Sequence, residues 1–255
     1  MRARAWRWCA AAGVAAFLCS WGFGRIPGLV ACGPSGGLGP IIAFEFVSTP
    51  GDVAALFGSE PCRSTLVSAQ KIGLLLDGLG FIPFYTAFLV LAAFGSSPAK
   101  AGVQPRAARK WAPAFAGEQP VRALIILTLI VAGLCDEVEG GILYAILGDL
   151  PGTQPLIDAL WWPVHVKFAL LSLGTFGIGA LLARTLRPIG VVAGSVVAGG
   201  AAKALHGLAV DLPAMMGGFT IAWMTILLCA LAGAVRPSLF SARVAPPRAQ
   251  ASPSA

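Results

Sequence analysis

Six runs of mostly apolar residues, at about 6–24, 72–95, 122–148, 164–183, 189–207 and 218–235, dominate this chain. About 20 residues at 1.5 Å each match the roughly 30 Å hydrocarbon core of a bilayer, so each run is long enough to cross one. Of the 255 residues, 57% are hydrophobic and 11% are charged, against roughly 25% charged in soluble domains. A soluble domain of this size leaves much of its surface in water and cannot hide so apolar a composition. The pattern predicts an all-α integral membrane protein: a six-helix transmembrane bundle over residues 1–236 and a disordered cytoplasmic tail over 237–255.

The net charge of +7 does not imply nucleic acid, because the basic residues fall between apolar runs and are not interleaved with aromatics. They orient the bundle instead. With the N-terminus inside, the inner segments hold Arg2, Arg4, Arg7, Lys100, Arg106, Arg109, Lys110, Arg122, Arg184, Arg187, Arg236, Arg243 and Arg248. Only Arg25, Arg63, Lys71, Lys167 and Lys203 lie in the first outer loop or near outer helix ends. Both termini are expected in the cytoplasm. The first run also has a signal-peptide look, but Phe17, Trp21 and Phe23 carry it to its end with no small-x-small cleavage site, which favours a retained helix.

Loop 25–71 is the one sizeable extramembrane segment. Within it, Pro50-Gly51-Asp52 followed by Val53 to Gly58 reads as a capped, short amphipathic helix ended by glycine, expected on the outer membrane surface. Cys32 and Cys62 share this loop and are able to form a disulfide in an oxidising compartment. The other four cysteines sit in apolar runs, and no CxxC or zinc spacing occurs. The inner loop 96–121 is basic and proline-bearing. Gly190, Gly194 and Ala198 form a small-residue face on the fifth run, and Gly174, Gly177 and Gly179 allow the fourth to approach its neighbours.

The informative residues are those a bilayer rejects. A charge at the centre of a lone helix costs roughly 2.5–3.5 kcal/mol, so such groups face the bundle and pair. Asp77, Asp136, Glu137, Glu139, His165, Lys167, Lys203 and His206 qualify, and the expected topology puts them in the outer half or at the midplane. Asp136 and Glu139 share a face, with Glu137 turned about 160° from Glu139. On the second run Gly73, Asp77, Gly80 and Phe84 form one stripe. The expected cluster is Asp77, Asp136 and Glu139 against Lys167, the catalytic candidates. Glu45, Phe81, Tyr85, Lys203 and His206 are candidates for contacting a substrate. Glu45 is otherwise read as a solvated loop acid, and His165, after Trp161-Trp162-Pro163, as an interfacial histidine. A metal site from Asp136, Glu139, His165 and His206 has weak spacing, so neither metal nor cofactor is expected. Close carboxylates in low dielectric cannot all stay ionised, so at least one holds a proton and is able to act as a general acid or relay.

Three segments carry a resemblance: AFEFVSTPGDVAALFG (43–58), LLLDGLGFIPFYTAFLV (74–90) and LCDEVEGGILYAIL (134–147). They resemble motifs of a family of small bacterial multi-pass membrane proteins without an established activity. The matching positions are Glu45, Thr49 and Pro50; Asp77, Phe81, Ile82, Pro83 and Tyr85; and Asp136, Glu139 and the later Lys167. Gly140 stands where the family tends to have Asn, which puts one polar contact in doubt. The resemblance covers about 43–185 and implies a bacterial inner-membrane location and a four-helix core, with the last two helices as an addition.

Three functions fit these residues. Buried acid–lysine contacts most often lock helix packing, which ranks a structural or accessory membrane subunit first. A membrane enzyme doing acid/base cyclisation or isomerisation of a lipid or isoprenoid comes second, and a proton-coupled transporter third. The partners expected are the bilayer and a lipophilic small molecule, with no nucleic acid. A roomy apolar cavity at the cluster separates the second reading from the first.

Overall fold

The computed structural model describes residues 2–96, 118–184 and 188–236, and every regular element among them is helical. Helix α1 spans Arg2–Phe23. Two short helices follow in the loop, α2 Pro40–Glu45 and α3 Pro50–Phe57. Helix α4, Cys62–Leu76, runs through a π turn at Asp77–Phe81 into α5, Ile82–Gly95. The remaining helices are α6 Glu118–Gly148, α7 Gln154–Ala183, α8 Pro188–Val210 and α9 Leu212–Val235. The expected tail (237–255) and most of the expected basic loop (97–117) lie outside the described residues.

Four helical rods are long and apolar enough to cross a membrane: Cys62–Gly95, α7, α8 and α9. Helices α1 and α6, of 22 and 31 residues, match them in length. Large apolar side chains cover the outside of the bundle, among them Leu79, Leu124, Trp162, Leu173, Val192 and Leu228. A polypeptide surface this apolar is matched to lipid and not to water.

The six long elements close into a ring. Helix α1 packs between α5 and α9, α5 touches α6, and α6–α7, α7–α8 and α8–α9 follow in order. Neighbours run antiparallel. Trp6 at the start of α1 packs against Gly95 and Gly233, at the ends of α5 and α9, while Gly22 meets Leu76. The start of α1 and the end of α9 therefore share one end of the bundle.

Glycines set the closest approaches. A Cβ on Gly179 would fall 2.8 Å from the Gly194 carbonyl oxygen and from the Ala198 nitrogen, and one on Gly200 would fall 2.8 Å from the Gly218 carbonyl oxygen. Backbones in contact maximise dispersion where lipid removes any hydrophobic drive between helices. Gly174 and Gly177 likewise receive Leu129 and Ile125 of α6.

The loop is an ordered cap. Cys32 and Cys62 are bonded, with Cα atoms 5.9 Å apart. Thr49 and Asp52 form a reciprocal capping box at the start of α3. The helix stops at Gly58, whose φ of 59° suits glycine and whose missing side chain leaves room for Cys32. The apolar face of α3 turns into the protein, not onto a membrane surface: Val53, Leu56 and Phe57 are buried, with Phe57 edge-on to Phe44 at 5.0 Å. Gln154 ties the cap to α7 through the Ser48 carbonyl, and Gln70 ties it to α4 through the Pro40 carbonyl.

Candidate functional site

Three helices, α2, α6 and α7, bring a lysine and three carboxylates to one point inside the ring. Lys167 of α7 is 3% exposed. Its ammonium lies 3.0 Å from Glu45 Oε2, 2.8 Å from Asp136 Oδ1 and 2.8 Å from Glu139 Oε1, and donates to all three. Glu139 Oε2 is nearer still, at 2.7 Å, but takes ion contact without hydrogen-bond geometry. An ammonium has three N–H donors, so Lys167 has none left. The other Asp136 oxygen, Oδ2, accepts from the Tyr85 hydroxyl at 2.7 Å. A charge this deep is tolerated because every bond it requires is made inside the protein.

The sequence explains how these groups meet. Asp136 and Glu139 lie three apart on α6 and face α7 together, while Glu137 is exposed on another face, near Gly78. Glu45 arrives from the cap at the end of α2, buried and bonded, so it is not a solvated loop acid. Lys167 is deeper than expected. Helix α7 does not begin at Val164 but at Gln154, continuing through Pro163, so Lys167 lies about 20 Å along it. Membrane helices tolerate an internal proline where neighbours and adjusted geometry re-satisfy the backbone.

The π turn changes which residues face inward. The Ile82 amide donates to the Asp77 carbonyl, five residues back. Pro83 has no N–H, and its ring would clash with the carbonyl four residues earlier in a regular helix. Widening the turn at Asp77–Phe81 relieves this and inserts one residue into the helical register. Tyr85 consequently takes the inward place that a regular helix would give Phe84, which is 42% exposed. The expected Gly73–Asp77–Gly80–Phe84 stripe is broken for this reason; Gly80 packs against Cys19 of α1.

Beside the cluster is a cavity of about 530 Å³. Its polar lining includes Glu45, Asp77, Tyr85, Asp136 and Lys167, and the rest is overwhelmingly apolar. Among the described residues no hydrogen bond or ion pair reaches the Asp77 carboxylate, so Asp77 is the cavity acid not held by Lys167. Aromatic rings form a continuous wall. Tyr85 stacks on Trp223 at 5.3 Å, Trp223 meets Phe219 at 5.7 Å, and Phe168 meets Phe219 at 5.9 Å. Helix α9 supplies Met216, Phe219, Thr220, Trp223, Met224 and Leu227 to this lining. It is part of the cavity wall. Glu139 does not line the cavity and lies behind Lys167.

The cavity opens between α1 and α9. The two helices are in contact at Trp6–Gly233 and Gly13–Leu227. Nearer the cap, Phe17 and Ser20 of α1 and Thr220 and Met224 of α9 both line the cavity and are exposed on the outside of the bundle, as are Gly24 and Gly39 of the loop.

Not every candidate converges. Lys203 and His206 are exposed on α8 and do not line the cavity. His165 stacks on Trp161 at 4.2 Å and pairs its Nδ1 with the Trp161 carbonyl at 2.8 Å, outside the cluster. Among the described residues no group of His, Cys, Asp and Glu has an arrangement suited to a metal ion. The Trp223–Phe219 wall was missed in the sequence because every apolar position on the last run looks alike when both lipid and core are apolar. No family model, curated protein or solved structure matches the chain.

Proposed function

We propose that this is a six-span membrane enzyme that binds a lipophilic molecule in the cavity and moves a proton to and from it. The observation that carries this reading is a roomy, mostly apolar cavity with acids on one wall and a side opening between α1 and α9. A cluster serving only to lock helices has no use for empty space beside it. The opening lies on the apolar flank of the bundle, so its occupant enters from the bilayer. Both termini face the cytoplasm in this reading, by the distribution of Lys and Arg. Helix α1, as a cavity wall, is retained. The small bacterial multi-pass family that the three motifs resemble is the proposed kinship, with the inner membrane as location.

The chemistry is isomerisation or cyclisation of an unsaturated lipid or isoprenoid. A carboxylic acid gives its proton to one carbon of a double bond, leaving a cation on its neighbour. That cation, directly or after attack by a second double bond has closed a ring and moved the charge to a further carbon, loses a proton from an adjacent carbon to a carboxylate. The product is an isomer of the substrate, so no oxidant, reductant or co-reactant enters. Asp77 is the proposed acid, because it lines the cavity and is not bonded to Lys167. Lys167, with Glu45 and Glu139, positions Asp136 and Tyr85 on the facing wall.

Purified protein incubated in D2O with the lipid extract of its own membrane tests this. The expected result is deuterium incorporation into a lipophilic product isomeric with its precursor, lost in Asp77→Asn at unchanged thermal stability. Full incorporation by Asp77→Asn would remove Asp77 from the role. No incorporation by the wild-type protein would overturn the enzymatic reading.

A further inference from the structure

The cavity wall has an imbalance of charge. Glu45, Asp77 and Asp136 line it, and Glu139 stands one layer back, against one lysine. Lys167 is the one cation among the described residues lining the cavity, and its three donors are spent on three of those acids. Adjoining these acids is an electron-rich surface of Tyr85, Trp223, Phe219 and Phe168, and the Phe168 ring already carries the Lys167 ammonium 4.6 Å from its centroid. Ring faces attract cations, more strongly once water is excluded. An unheld carboxylate beside such a wall, in an apolar space of about 530 Å³, is complementary to an organic cation with an apolar body and repels an anion of the same shape.

We infer that the cavity selects a membrane-soluble organic cation, either as the bound molecule or as the cationic intermediate of the reaction proposed above. The inference rests on that reading of the site and names the charge of what it stabilises. A proton and an organic cation compete for the one cavity acid that Lys167 does not hold. A bound cation replaces a proton, so affinity rises with pH and binding releases a proton. The groups facing Asp77 and its surroundings are Glu45 from the cap, Tyr85 from α5, Asp136, Glu137 and Glu139 from α6, Lys167 from α7 and Cys19 from α1; α9 contributes aromatic and apolar side chains.

The test is equilibrium binding to the full-length protein in a neutral maltoside detergent. The probes are tetraphenylphosphonium, tetraphenylborate and the neutral tetraphenylsilane, which share one shape and differ in charge. The expected result is saturable binding of the phosphonium alone, about tenfold tighter at pH 8 than at pH 5, with proton release in weakly buffered solution. Asp77→Asn weakens it about tenfold, whereas Lys203→Met on the outer face of α8 leaves it unchanged. Should Asp77→Asn not fold, Thr220→Trp at the opening provides the second variant and is expected to abolish binding. Equal binding of the silane and the phosphonium would overturn the charge selection while leaving the lipophilic site intact. Tighter binding of the borate would overturn it outright, and failure of all three probes counts against the cavity as a binding site altogether.

Discussion

Glu45 and Lys167 lie 122 positions apart in the chain, and their charged atoms are 3.0 Å apart in the protein. This bond ties the cap to the middle of the bundle, and its two partners are not equivalent. Lys167 offsets three acids at once, whereas Glu45 is one acid of an excess. Lys167→Met leaves three buried carboxylates uncompensated, and removing one partner of a buried ion pair costs about 3–5 kcal/mol. Glu45→Gln keeps an acceptor and relieves like-charge crowding, so it is expected to cost much less. Thermal unfolding of the purified proteins in one detergent checks the order: a large drop for Lys167→Met and a small one for Glu45→Gln.

Tyr85 performs two tasks, donating to Asp136 and stacking on Trp223. Tyr85→Phe keeps the ring and leaves one oxygen of a buried carboxylate without its donor, a loss of about 1–3 kcal/mol. Tyr85→Leu removes the stack as well and is expected to be worse than Phe. The same unfolding measurement separates them.

The glycine contacts predict opposite outcomes at neighbouring positions. A side chain at Gly200 meets the α9 backbone, so Gly200→Val forces α8 and α9 apart and costs about 1–3 kcal/mol or more. Gly199 has nothing within 4 Å of where its Cβ would be. Gly199→Ala is expected to stabilise by up to about 1 kcal/mol through helix propensity alone. Midpoints of thermal unfolding for the two variants should move in opposite directions.

The cap has its own pH dependence. The Ser48 amide, then the Thr49 side chain and amide, hold the Asp52 carboxyl below its ordinary value of 3.8. A carboxyl whose value is lowered by folding adds stability that is fully present above that ordinary value. The stability is lost as pH falls through the lower, folded-state value. Amide exchange over residues 50–57 should therefore accelerate only in strong acid. Thr49→Ala, which removes the other half of the capping box, should accelerate it at every pH, with a loss of about 1 kcal/mol.

The helical, membrane-matched character and the acids that meet Lys167 were legible because each rests on a local rule. Apolar run length identifies long apolar helices, and a charge in such a run must face a partner. Glu45 was not legible as a buried group, since nothing local in the long stretch between α1 and α4 shows that it folds inward and is pinned by a disulfide and a capped helix. Tyr85 was legible as a motif residue but its facing was not: a regular helical wheel points Phe84 inward, and only the widened turn before Pro83 exchanges them. Lys203 and His206 do not line the cavity, because depth in the membrane does not specify facing. Helix α8 docks by glycines on two faces, Gly194 against α7 and Gly200 and Gly207 against α9, and both Lys203 and His206 are exposed.

The central claim is that the cavity holds a lipophilic molecule taken from the bilayer through the gap between α1 and α9. Thr220 lines that gap and is exposed, so Thr220→Trp blocks it without loading the packed core. The direct measurement is mass spectrometry of organic extracts from wild-type and Thr220→Trp proteins purified identically and matched for thermal stability. The account predicts one lipophilic species at near-equal molar amount with the wild-type protein and its loss from the variant. Equal amounts of every extracted species in the two proteins would contradict it.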